Sequence, residues 1–171
     1  GISRRQFNTL AASAAVATLL PQKAYANNVN AKRVEVPTPD GVCDAFFVHP
    51  TGGEAPAVLM WPDILALRPA FETMATRLAQ SGYAVLCVNP YYRDAKAPVV
   101  EVGESFQDQS TRTKVMPMYR NLSAATHTTD AQALVAWLDA QPEVDTARKI
   151  GTMGYCICLL YTSDAADDSL R

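Results

Sequence analysis

The chain has 171 residues, enough for one domain of ordinary size and too few for two independent ones. Hydrophobic residues make up 49% and charged residues 19%, which excludes disordered, collagen-like and coiled-coil classes, and no apolar run reaches the roughly 18 residues of a membrane-spanning helix. Fifteen basic residues against seventeen acidic ones give a net charge of -2, without the basic excess that a nucleic-acid partner requires.

Residues 1–26 differ from the rest. Ser3-Arg4-Arg5-Gln6-Phe7 precedes an Ala-rich stretch, Ala24-Tyr25-Ala26 closes it in small-x-small form, and no carboxylate occurs before Glu35. This segment resembles a twin-arginine signal, which implies export to the periplasm by the twin-arginine machinery. Strands are expected over residues 33–37 and 42–48 with a turn at Asp40-Gly41, since Asp-Gly between apolar runs is a hairpin signal. Residues 56–61 are continuously apolar and read as a strand buried on both faces. A helix follows over 68–81, with Phe71, Met74, Ala75 and Leu78 on one stripe and Gly82 as its stop.

Residues 83–88 form a second buried strand, and 91–121 a polar excursion with a short helix near 116–122. Thr128 or Thr129 is expected to cap a helix running through Gln141, with Ala131, Leu134, Val135 and Leu138 inward, and 148–153 to be a third buried strand. Strands alternating with helices of this length imply βαβ units and a parallel sheet. The tail from Cys158 onward fits no such element; it resembles the translation of a sequencing adaptor. On that reading the natural sequence stops within codon 157, which gives a leader over 1–26, an incomplete domain over 27–157 and an artefact over 158–171.

The chemical signal follows the third strand: Gly154-Tyr155-Cys156. A small residue two before a nucleophile permits a sharp strand-to-helix turn that exposes the side chain in a strained backbone conformation. A helix starting there would lower the thiol pKa through its positive end. The stretches Trp61-Pro62-Asp63-Ile64-Leu65-Ala66-Leu67-Arg68-Pro69-Ala70, Leu78 to Leu86, Asn89-Pro90-Tyr91-Tyr92-Arg93 and the elbow itself resemble, in order and spacing, the exported branch of the dienelactone hydrolase family.

That resemblance implies the N-terminal part of an α/β-hydrolase fold: a mostly parallel sheet with an N-terminal antiparallel hairpin, incomplete after the elbow. It implies hydrolysis of a small ester or lactone by a Cys-His-Asp triad, with no cofactor or metal. Cys156 would be the nucleophile, and the N–H groups of Ile64 and Ile157 the oxyanion hole. Asp63 stands where well-known members carry Glu, which contacts the resting thiol, and Arg93 stands where the family holds a substrate carboxylate. In this fold the base follows the nucleophile, and no histidine follows Cys156, so the chain by itself is expected to be inactive.

Duller or different readings stand beside these. His49 and His127 read as structural or solvent-facing, and Cys43 and Cys87 as core. Cys156-x-Cys158 would suit a redox or metal module, although it supplies only two of the four ligands that structural zinc takes. A non-catalytic binding module of the same fold is a third reading.

Overall fold

A computed structural model describes residues 28–156. The expected leader, Ile157 and the tail that includes Cys158 lie outside the described residues. Strands β1 (Val29–Thr38) and β2 (Gly41–Pro50) pair antiparallel along their full length, Thr38 opposite Gly41. The turn is one residue earlier than expected: Pro39 and Asp40 connect the strands, and Gly41 opens β2. Gly41 has φ 143°, and a Cβ there would lie 3.6 Å from the Tyr92 ring, so glycine answers both a backbone and a packing demand.

Strands β3 (Ala57–Trp61) and β4 (Ala84–Val88) are buried along their whole length, as their unbroken apolar runs require. They lie parallel, joined through helix α1 (Pro69–Gln80). Proline suits the first helical position because its missing N–H would have had no partner there. Strand β5 (Gly151–Gly154) adds parallel to β3, and the sheet order is β1-β2-β4-β3-β5. Because β2 runs antiparallel to β4 as well as to β1, the described ladders are two antiparallel and two parallel rather than mostly parallel.

Three elements depart from the expected bounds. Helix α2 (Gln109–Arg120) starts earlier than 116, burying Thr111, Val115 and Met118 at helical spacing while Pro117 sits inside it. Helix α3 (Ala124–Asp139) is capped by Ser123 instead of Thr128 or Thr129: the Ser123 hydroxyl accepts from Thr126 N–H, and the Thr126 hydroxyl accepts from Ser123 N–H. Strand β5 is half-buried to exposed, not buried on both faces, because β3 is its sole strand neighbour among the described residues.

Alternation along the strands divides the core into two layers. Phe47, Leu59, Trp61 and Leu86 face α3 through Leu134 and Leu138. Val48, Val58, Met60, Val85 and Cys87 face α1 through Phe71, Ala75 and Ala79. A third cluster of Ala66, Tyr91, Val99, Val100, Val115 and Met118 seats α2 beside the loops that leave β3 and β4.

Candidate active site

The parallel pairing of β3 with β5 decides what meets at the carboxyl ends of these strands. Trp61 is in register with Gly154, and Tyr155 N–H donates to the Trp61 carbonyl at 3.1 Å. The two chains therefore leave the sheet side by side, one as Pro62-Asp63-Ile64, the other as Tyr155-Cys156. Cys156 is exposed and adopts φ 54°, a left-handed conformation that costs a residue with a Cβ about 1–2 kcal/mol. Such a bend is the backbone shape of a nucleophile elbow.

The facing loop is a closed turn. Asp63 carbonyl accepts from Ala66 N–H at 2.9 Å, and Ala66 itself has φ 60°. Asp63 Oδ1 accepts from Leu65 N–H at 3.0 Å, an Asx turn laid over the backbone turn. Arg68 completes it: Nη1 donates to Asp63 Oδ1 at 2.6 Å and to Ala66 carbonyl at 3.1 Å, and Nη2 to Oδ2 at 3.0 Å. Both oxygens of Asp63 are thus engaged within the loop rather than shown against the thiol. The Ile64 N–H has no acceptor among the described residues, while the Ile64 carbonyl accepts from the buried Tyr91 hydroxyl at 3.0 Å.

Arg93 follows β4 and is heavily partnered. It donates from Nη1 and Nη2 to the two oxygens of Asp130 at 2.9 and 2.7 Å, and from Nη2 and Nε to Asp40 at 2.6 and 3.2 Å. Its guanidinium also lies 4.6 Å from the Tyr92 ring centroid. Burial alone would lower its pKa, but the hydrogen bonds to Asp130 and Asp40 outweigh burial and raise it. The Tyr92 hydroxyl donates to Asp130 at 2.7 Å, and burial and then that carboxylate raise the phenol's pKa. The site is therefore tied to the β1–β2 turn on one side and to α3 on the other.

His127 is buried, its ring 4.9 Å from that of Trp61 and its Nδ1 3.1 Å from the Ser123 carbonyl; burial lowers its pKa. His49 is buried at the end of β2, with Nδ1 2.9 Å from the Pro50 carbonyl. Both histidines are inside the fold, not solvent-facing. Cys43 and Cys87 are core residues as expected, and burial raises both thiol pKa values. No group of three His, Cys, Asp or Glu that could hold a metal occurs among the described residues.

Sequence reasoning missed Arg68, Tyr91 and Asp130. Asp130 carried the clearest signal, an acidic residue next to Ala131 on the stripe that Leu134 and Leu138 continue. Arg68 carried a weaker one, lying five residues beyond Asp63 and just ahead of the helix-starting proline.

An antiparallel entry hairpin, parallel strands with helices on both faces and a strained cysteine after β5 define an α/β hydrolase-like fold. Residues 43–166 match the model of the dienelactone hydrolase family, and the chain belongs to that family. A carboxymethylenebutenolidase of Pseudomonas sp. (strain P51) is 27% identical over 63% of the chain and 43% of its own length. A Methylorubrum extorquens protein provisionally assigned the same activity is 29% identical over 77% and 42%. A dienelactone hydrolase-like promiscuous phosphotriesterase from metagenomic libraries superposes with TM-score 0.58 at 26% identity, over 78% of the chain and 53% of that structure. The chain spans less than half the length of the two curated relatives.

Proposed function

We propose that the whole protein hydrolyses a small carboxylic ester or lactone by thiol-based acyl transfer, with Cys156 as nucleophile. The observation that carries this reading is the exposed, left-handed Cys156 at the end of a parallel strand, beside a turn with an N–H to offer. The Cys156 thiolate attacks the carbonyl carbon, the C–S bond forms, and the carbonyl electron pair moves to oxygen. The N–H groups of Ile64 and Ile157 hold that oxyanion. Collapse expels the alkoxide, which takes a proton from a histidine, and water activated by the same histidine then hydrolyses the thioester.

The chain's own two histidines are packed inside the fold, and the whole protein would supply the catalytic histidine and its acid from elsewhere. Arg93 would take a substrate carboxylate, and no cofactor enters the reaction. The leader over 1–26 would carry the protein to the periplasm through the twin-arginine machinery, and the tail over 158–171 would be foreign to it.

The uninterrupted protein, which is expected to carry glycine at position 158, should hydrolyse 4-nitrophenyl acetate with an initial burst. Cys156→Ala should lower the rate at least about 1,000-fold, the scale on which removal of a covalent nucleophile acts. The 171-residue chain alone should show no turnover. Retention of the burst in Cys156→Ala would remove the nucleophile assignment.

A further inference from the structure

The turn at residues 63–66 is more heavily fastened than a connecting loop requires, and its fastenings converge on one peptide unit. In a trans peptide the N–H points opposite to the C=O, so holding one holds the other. The peptide between Asp63 and Ile64 has its carbonyl bound by Ala66 N–H at 2.9 Å, which directs the Ile64 N–H out of the turn. The next peptide is held at the Ile64 carbonyl by Tyr91.

Arg68 binds three acceptors of this turn, both oxygens of Asp63 and the carbonyl of Ala66, across a residue whose φ of 60° is unfavourable without support. It also reaches the other loop. Its guanidinium lies 5.0 Å from the Phe71 ring centroid, and Phe71 packs edge-on at 5.2 Å against Tyr155, the neighbour of Cys156. One side chain thus fixes the turn that offers the N–H and braces the residue that precedes the sulfur.

We propose that Arg68 is the positioning residue of the oxyanion site: it holds the Asp63–Ala66 turn so that Ile64 N–H meets the oxygen of an acyl group on Cys156, with Tyr91 steadying the same turn. This rests on the thiol-acylation reading above. It gives Asp63 a further task, as the carboxylate through which Arg68 grips the loop. The step served needs a donor held where charge develops on oxygen, and a donor that must first be oriented loses much of its value.

Arg68→Met, Arg68→Lys and Tyr91→Phe in the uninterrupted protein separate this role from a purely structural one. The readouts are kcat and KM for 4-nitrophenyl acetate, the rate of Cys156 alkylation by iodoacetamide, and inhibition by a trifluoromethyl ketone. Alkylation builds no oxyanion, whereas the ketone adduct does. In Arg68→Met kcat should fall about 100-fold, the effect of losing one oxyanion donor, and ketone affinity should fall with it. KM should stay within about threefold and alkylation within about twofold, because neither depends on that donor. Arg68→Lys should recover part of kcat, and Tyr91→Phe should show the same pattern about tenfold more weakly.

Unchanged kcat in Arg68→Met overturns the proposal, as does alkylation falling by the same factor as acyl transfer. If Arg68→Met does not fold, wild-type kcat in both Arg68→Lys and Tyr91→Phe overturns it. Turnover persisting in Cys156→Ala would instead remove the nucleophile reading itself, independently of any Arg68 variant.

Discussion

Asp130 shows how strongly a single burial decision constrains its surroundings. Its side chain is 4% exposed, and a carboxylate there is tolerable because Arg93 and Tyr92 supply three hydrogen bonds. Arg93→Met should therefore destabilise the protein by about 3–5 kcal/mol in urea unfolding, by leaving a buried charge without its cation. Arg93→Met combined with Asp130→Leu should recover most of that loss. His127 acts in the opposite sense, since burial holds its pKa below the ordinary 6.5. Above that value it is neutral whether folded or unfolded; below it the unfolded chain binds a proton that the folded one refuses, so stability falls as pH drops from 6.5 toward the folded pKa. His127→Gln should narrow the difference between urea midpoints at acid and neutral pH, and an unchanged difference would show that the ring titrates freely. Neither behaviour was legible in sequence: the solvent-facing alternative for His127 fails because its helix begins earlier than its threonines suggest.

Among the elements, legibility followed the strength of the local signal. Residues 56–61 and 83–88 are legible as buried strands because unbroken apolar runs leave no face for water, and α1 because a clear stripe ends at Gly82. The start of α3 was hidden because the capping box uses threonine where a glutamate or glutamine would have announced it. Ser123→Ala should cost about 1 kcal/mol by unfolding, the usual worth of an N-cap, and Ser123→Asp should retain most of it. Helix α2 was hidden by Pro117 and by a polar sequence that buries about one residue per turn. At the site, the sharp bend at Cys156 was legible because glycine two before cysteine at a strand end is a local pattern. The grip of Arg68 on Asp63 was not, because a side chain's choice of partner is settled by three-dimensional packing.

The molecule as a whole is two helical layers about a sheet whose two margins differ. Strand β1 is tied to α1 by the ion pair of Arg33 with Glu72 and covered in part by α3, whereas among the described residues β5 presents its outer edge, with Met153 and Tyr155 half-buried beside Met60, Met74 and Leu78. A strand edge flanked by apolar side chains recruits other strands. The 171-residue chain should elute above its 18.5 kDa mass as its concentration rises, and Thr152→Lys, a charge on β5, should return it toward the monomer. Elution at monomer mass at every concentration would show the edge to be covered. The hairpin and the parallel strands were both expected; their proportions were not, since nothing local told β2 to join β4 rather than stand apart with β1.

As the proposed holder of a substrate carboxylate, Arg93 would differ from a vacant cation. An anion would find four of the five guanidinium N–H groups already engaged, so a two-pronged grip on it would require eviction. The tenant that can leave is Asp40, 45% exposed at the hairpin tip, because Asp130 is enclosed. Asp40 is tethered, and its effective concentration at the fork far exceeds that of any dilute solute. Under the proposed function, selection at this point would be a contest between two carboxylates for one fork, in which weak or badly shaped anions would lose and each successful guest would set the hairpin tip loose.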